Sequence, residues 1–190
     1  MALFLNAAIF LITAVVIVRC FKVDGRWAWE NGIVVFKYFT VLSNVLCALA
    51  ALLMCFVPEL RWAWLLKYVG TAAVTVTMLT VLLFLGPSLG YQDLLKGPDF
   101  CMHLLNPLLA LVSFCGFERR GLSFGAAMLG LIPVVLYGLV YLNKVVLVPE
   151  EKRWEDFYVF NKNGKWQIAF TAMVVAGFLI CLGLMALQNL

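Results

Sequence analysis

The sequence predicts an all-α integral membrane protein, a compact bundle of about six transmembrane helices forming one domain over residues 1–190. Three observations predict it. Hydrophobic residues make up 65% of the chain and charged residues only 13%, with a mean hydropathy of +1.01, whereas a soluble domain carries roughly one-quarter charged residues. The apolar residues fall in six runs near or above the ~20 residues that a helix needs to cross a hydrocarbon core of about 30 Å. All six tryptophans lie between those runs or at their ends, where an amphipathic indole prefers the headgroup layer.

The first run, residues 2–18, has no basic segment before it, its first positive residue being Arg19, so it is expected to be a retained helix rather than a signal peptide. Asp24-Gly25 supplies a turn after it. The second run, 34–57, ends at Pro58, and the third, 64–85, ends at Gly86-Pro87. The fourth covers 100–117 and the fifth 122–142. A long aromatic loop follows, and Asn163-Gly164 makes the turn into the sixth run, 166–187.

Six helices place both termini on one side of the membrane, side A, with the 2–3 and 4–5 loops. The 1–2, 3–4 and 5–6 loops lie on side B. Side B carries ten of the fourteen basic residues, against Arg61, Lys67, Arg119 and Arg120 on side A, so the positive-inside rule makes side B cytoplasmic. Side B also holds eight of the ten acids, which weakens that bias. The net charge of +4 is spread over several loops and gives no basis for nucleic-acid binding. Six cysteines without a C-x-x-C spacing read as small apolar packing residues. One histidine and scattered acids make no metal ligand set, and no glycine-rich phosphate loop or dinucleotide fingerprint is present, so neither metal nor cofactor is expected.

Chemistry is sought where polar residues interrupt the apolar runs, because a polar group in hydrocarbon is costly unless it is paired. In the second helix Thr40 and Asn44 are four apart and share a face; in the fourth, Asp99, His103, Asn106 and Pro107 do the same. Both helices enter from side B. Counted from the ends of the runs, Thr40 is expected about 9 Å inside and His103 about 5 Å inside, so the two can meet. A hydroxyl beside a neutral imidazole is a minimal nucleophile and base pair. Asp99 is a candidate to orient the ring, and Asn44 or Asn106 to donate to an oxyanion. Pro107 lacks an amide proton and is expected to leave the His103 carbonyl open. Tyr38, Tyr137, Trp154, Phe157 and Tyr158 are candidates for a pocket wall or lid on side B.

Each residue also has a plainer role. Thr40 can bond back to the Phe36 carbonyl, Asp99 can serve the helix dipole, and the asparagines can join helices. Thr71, Thr75, Thr77 and Thr80 read as packing and back-bonding residues, and the aromatic loop as an interfacial anchor.

The Phe39-Thr40-Val41-Leu42-Ser43-Asn44 segment, with His103 at the start of the fourth helix, resembles the androgen-induced-protein family of membrane hydrolases. It is also similar to bacterial families of six-helix membrane proteins that carry the same Phe-Thr-x-Leu-Ser-Asn segment. The first resemblance implies hydrolysis of lipid esters, with fatty-acid esters of hydroxy fatty acids as substrates of the animal members, Thr40 as nucleophile and His103 as base. The expected function is a lipid-ester hydrolase in a bacterial cytoplasmic membrane, with membrane lipids and a lipid ester as its partners and an undetermined oligomeric state. The rivals are a small transporter or channel, with helices broken at Pro107 and Pro133, and a non-catalytic membrane protein that binds lipid or a partner subunit.

Overall fold

The computed structural model describes residues 1–190. Six helices are long and apolar enough to cross a membrane: α1 (Ala2–Cys20), α2 (Phe39–Phe56), α3 (Arg61–Leu89), α4 (Pro98–Phe117), α5 (Phe124–Leu147) and α6 (Trp166–Gln188). The chain is a multi-pass, all-α membrane protein. Its only sheet is a hairpin on side B, Lys22–Val23 against Arg26–Trp27. Asp24 and Gly25 both adopt positive φ there, as a two-residue hairpin turn requires.

The central helix is α3, which packs against α2, α4, α5 and α6. It carries a stripe of small and hydroxylated residues from Gly70 to Thr77, and such a stripe is how helices approach in lipid, where tails are as apolar as leucine and close packing must do what expulsion from water does elsewhere. Gly70 lies so close to α2 that a Cβ there would come within 2.7 Å of the Cys47 backbone. Thr71 and Thr75 donate to the carbonyls of Lys67 and Thr71 one turn earlier, and Thr77 to that of Ala73. In contrast α6 lies at the periphery and turns most of its surface outward.

Three departures from the sequence expectation matter, the first at the site and the other two near side A. The second helix begins at Phe39 rather than at residue 34. Residues 29–37 form a short helix and a 3₁₀ turn, and Tyr38 is extended at φ −92° and ψ 133°. Only Lys37 interrupts the apolar run at this break, and one charge near a helix end does not by itself mark a change of direction. Tertiary hydrogen bonds make it: the Tyr137 hydroxyl donates to the Lys37 carbonyl at 2.7 Å, and the Phe39 amide donates to the Tyr158 hydroxyl at 3.1 Å. The second departure is Trp64, which is fully buried in the core rather than interfacial, its indole donating to the Glu118 carbonyl.

The third departure is Lys67. It lies inside the bundle rather than on side A and donates to Asn6 Oδ1, while Asn6 Nδ2 donates to Glu118 Oε1 at 2.5 Å. All three side chains are buried, so α1, α3 and α4 are joined near side A by a lysine and a glutamate with an amide between them.

Prolines set the register of three helices. The π-turns at Val81–Leu85, Cys101–Leu105 and Asn143–Leu147 each end two residues before a proline, namely Pro87, Pro107 and Pro149. A proline cannot donate to the carbonyl four residues back, and the helix accommodates this by shifting one turn to i−5 bonding. In α4 the Asn106 amide therefore reaches Cys101 O instead of Met102 O. Pro107 has no amide to offer in its place. The i−5 register thus opens the Met102 carbonyl, and the Asn44 amide donates to it at 2.9 Å.

Candidate active site

Thr40 is the second residue of α2, so it lies in the first helical turn on side B rather than about 9 Å inside. His103 is the sixth residue of α4, in the π-turn. Thr40 Oγ1 is 3.3 Å from His103 Nε2. The extended Tyr38 removes the helical carbonyl that would otherwise compete for the threonine hydroxyl, which makes no bond to Phe36.

The other ring nitrogen, Nδ1, is 2.6 Å from the Leu94 carbonyl oxygen. A carbonyl can only accept, so Nδ1 carries the proton. In the neutral ring Nε2 is then a bare lone pair facing the threonine hydroxyl. The 3–4 loop brings Leu94 there. Gly86 and Pro87 leave the Leu82 carbonyl without a helical partner, because the Gly86 amide reaches back to Val81, and the Tyr91 hydroxyl donates to Leu82 O at 2.8 Å. Gly90 and Gly97, both at positive φ, bend the chain on either side of the Tyr91–Leu94 turn.

Asp99 does not orient the ring. Its carboxylate is exposed in the first turn of α4 and makes no hydrogen bond to His103, whose Nδ1 is already taken. It stands where an acid offsets the helix dipole. The asparagines are not free oxyanion donors either. Asn44 Nδ2 spends its two protons on the Thr40 and Met102 carbonyls, at 2.8 and 2.9 Å. Asn106 Nδ2 spends its two on Thr13 Oγ1 and Asn44 Oδ1, at 2.9 and 3.1 Å. They join α1, α2 and α4 directly beneath Thr40 and His103, and interhelical bonds of this kind are worth about 0.6 kcal/mol each in lipid, up to ~1.7.

The five aromatic candidates converge on side B. Tyr38 packs on Phe157 with ring centroids 4.5 Å apart, Phe157 on Tyr158 at 4.7 Å, and Phe39 on Tyr137 at 5.1 Å. Trp154 and Tyr137 line a cavity of about 310 Å³ between α2 and α5, together with Phe36, Phe39, Leu42, Ser43, Leu46, Pro133, Leu136 and Val140. The cavity is mostly apolar, and the hydroxyls of Ser43 and Tyr137 in its wall are engaged, Ser43 with Thr40 O and Thr77 Oγ1 and Tyr137 with Lys37 O.

Two participants escape a reading of the sequence alone. Leu94 acts through its backbone, which no side-chain pattern marks. Asp156 organises the 5–6 loop by accepting from Tyr141 Oη and from the amides of Phe160 and Asn161, at 3.1, 2.8 and 2.7 Å. Its signal was an acid beside an aromatic run, ahead of an Asn-Gly turn.

No three His, Cys, Asp or Glu side chains converge at a metal-binding distance. The chain matches no protein-family model, no curated protein and no solved structure, so the fold and the site rest on the residues and distances given above.

Proposed function

We propose that this protein is a membrane-embedded hydrolase of lipid acyl esters that uses Thr40 as nucleophile and His103 as general base. The observation that carries this reading is the line Thr40 Oγ1, His103 Nε2, His103 Nδ1, Leu94 O, with separations of 3.3 Å and 2.6 Å across its two hydrogen-bonded steps. It is the nucleophile, base and orienter order of a hydrolytic triad with a backbone carbonyl in the third place. The longer first step belongs to a resting site, since catalytic hydrogen bonds tighten when substrate binds. The apolar cavity beside Phe39 and Ser43 supports an acyl chain as the part of the substrate held in the membrane. The resemblance of the 39–44 segment and His103 to the androgen-induced-protein family points the same way, toward fatty-acid esters of hydroxy fatty acids or similar esters.

In the reaction, Thr40 Oγ1 attacks the ester carbonyl carbon as its proton passes to His103 Nε2. The tetrahedral intermediate collapses, the bond to the alcohol oxygen breaks, and the imidazolium protonates that oxygen. An acyl-threonine remains. A water then gives its proton to Nε2 and adds to the acyl carbon, and collapse returns the proton to Thr40 with release of the carboxylic acid. The Leu94 carbonyl stabilises the imidazolium at both stages by accepting from Nδ1.

A transporter needs a polar path, and the buried residues Ile9, Cys47, Ala51, Val74 and Ala110 form an apolar layer within the bundle. With Lys67 withdrawn into the bundle, side A keeps Arg61, Arg119 and Arg120 as its exposed basic residues against eight exposed and two half-buried ones on side B, which supports a cytoplasmic side B, and the resemblance to bacterial six-helix proteins points to a bacterial inner membrane. The test is fluorophosphonate labelling of purified protein in detergent, with the adduct located by mass spectrometry. Labelling on Thr40 that is lost in folded Thr40→Val and His103→Ala is expected. A folded wild type that neither labels nor cleaves a panel of 4-nitrophenyl acyl esters overturns the reading.

A further inference from the structure

Attack on an ester leaves a negative charge on the former carbonyl oxygen, and that charge needs donors aimed at it. Both asparagines near the site have spent their amide protons, as described above. Two unspent donors lie beside Thr40. One is its own backbone amide, which lies in the first turn of α2 and has no carbonyl one turn back to bond. The other is the phenol of Tyr158, which accepts from the Phe39 amide at 3.1 Å and so keeps its single proton for another partner. Its other hydrogen-bonding neighbours are the Thr40 hydroxyl, the Tyr137 hydroxyl, which already donates to Lys37 O, and the Thr40 amide.

We propose that Tyr158 is a catalytic residue of this site, donating its phenolic hydrogen bond to the oxyanion together with the Thr40 amide. The assignment rests on the hydrolase reading and adds to it the group that carries the developing charge. The 5–6 loop is built to hold that phenol in place. Asp156 pins Phe160 and Asn161, the Tyr158 amide donates to the Tyr141 hydroxyl at 3.2 Å, and Val159 is forced to φ +54°, a left-handed conformation that a β-branched residue adopts only when its surroundings over-determine it. Strain of this kind gathers where a side chain must be aimed. Burial also keeps the phenol protonated, raising it above its ordinary range.

The experiment compares wild type, Thr40→Val and Tyr158→Phe for hydrolysis of 4-nitrophenyl octanoate and for the rate of fluorophosphonate labelling at Thr40. Tyr158→Phe is expected to lower kcat by about 10²–10³-fold with KM little changed, and to slow labelling by a similar factor, because the phosphonyl oxygen occupies the same place. A folded Tyr158→Phe with kcat within a few-fold of wild type, or with KM alone affected, overturns the assignment and leaves the hydrolase reading standing. A wild type with neither labelling nor hydrolysis overturns both. If Tyr158→Phe does not fold, replacement of Tyr158 by a trifluorotyrosine of lower pKa serves instead. An oxyanion donor predicts that the alkaline limb of kcat moves to lower pH, and an unmoved limb overturns the proposal.

Discussion

The carbonyl oxygen of Leu94 lies 2.6 Å from Nδ1 of His103, and this contact decides which nitrogen of the only histidine faces Thr40. The contact depends on a residue outside the site. Gly86 is in van der Waals contact with the Tyr91 ring, a Cβ at that position would overlap the ring, and Tyr91 in turn tethers the 3–4 loop to Leu82 O.

Gly86→Ala is therefore expected to displace Tyr91, move Leu94 off Nδ1 and release the ring from its productive tautomer. Misplacement of a catalytic group by about 1 Å costs on the order of 10²-fold. Hydrolysis of a 4-nitrophenyl ester should fall by at least about tenfold while helical circular dichroism is retained. Tyr91→Phe removes only the bond to Leu82 O, a loss of about 1 kcal/mol, and should have the smaller effect. Wild-type rates in Gly86→Ala would mean that the loop does not set the ring.

Asn44 separates a structural from a chemical role. Asn44→Ala leaves the Met102 carbonyl buried without its donor and one of the two Asn106 amide protons without its acceptor, so a loss of about 1–3 kcal/mol is expected, read as a lower melting temperature in detergent. Asn106→Ala, whose side chain hydrogen-bonds to neither Thr40 nor His103, should lower the melting temperature with kcat per folded molecule changed by less than about tenfold. A larger fall in kcat at unchanged stability would return the asparagine amides to the chemistry.

Much of this could be read from residue types. The six spans follow from hydropathy, and Thr40 and His103 from their being a hydroxyl and the one imidazole on two helices entering from the same side. Two kinds of information were missing. Backbone groups carry no sequence signal, so Leu94 was invisible and Asp99, the nearby acid, stood in its place. Breaks made by tertiary hydrogen bonds were equally hidden, since Val34, Val35 and Phe36 lead an apolar run up to Lys37 and it resumes at Tyr38, with nothing in it to mark that Tyr137 and Tyr158 interrupt the helix there. Pro107 marked the right turn of α4, yet nothing in the sequence showed that the π-turn there also opens the Met102 carbonyl to Asn44.

The cavity between α2 and α5 predicts chain-length selectivity. Leu46 lies two turns from Phe39, roughly 10 Å along α2, so Leu46→Trp fills the end remote from Thr40. Long-chain 4-nitrophenyl esters should lose about tenfold in kcat/KM relative to the acetate, whose cleavage stays close to wild type. An equal loss for every chain length would mean that the acyl chain lies elsewhere.

Tyr158 also predicts a pH dependence of stability. Burial raises its pKa above the ordinary value of 10.0, so the phenol stays neutral in the fold where the unfolded chain already ionises. Below that value both states are protonated and the contribution is constant. Above it the unfolded state gains a charge that the folded state refuses, and stability falls as pH rises toward the folded pKa. Wild type should lose more melting temperature between pH 8 and pH 11 than Tyr158→Phe. Equal losses would assign the alkaline weakness to other groups.

The amide between Lys67 and Glu118 sets up the last prediction. Neither charge is exposed, and Asn6 contacts both, accepting from one and donating to the other. Removing one charge strands its counterpart in a medium that cannot solvate it, at a cost of about 3–5 kcal/mol, whereas removing both costs far less, because two buried ions and their desolvation go together. Lys67→Met and Glu118→Gln should each lower the melting temperature sharply, and the double variant should recover most of the loss. The cycle reads the coupling directly, since the two single effects would add if the residues were independent. Asn6→Leu leaves both charges in place without their bridge, and it should destabilise at least as much as either single change. Additive single effects would show that Lys67 and Glu118 are not coupled through Asn6.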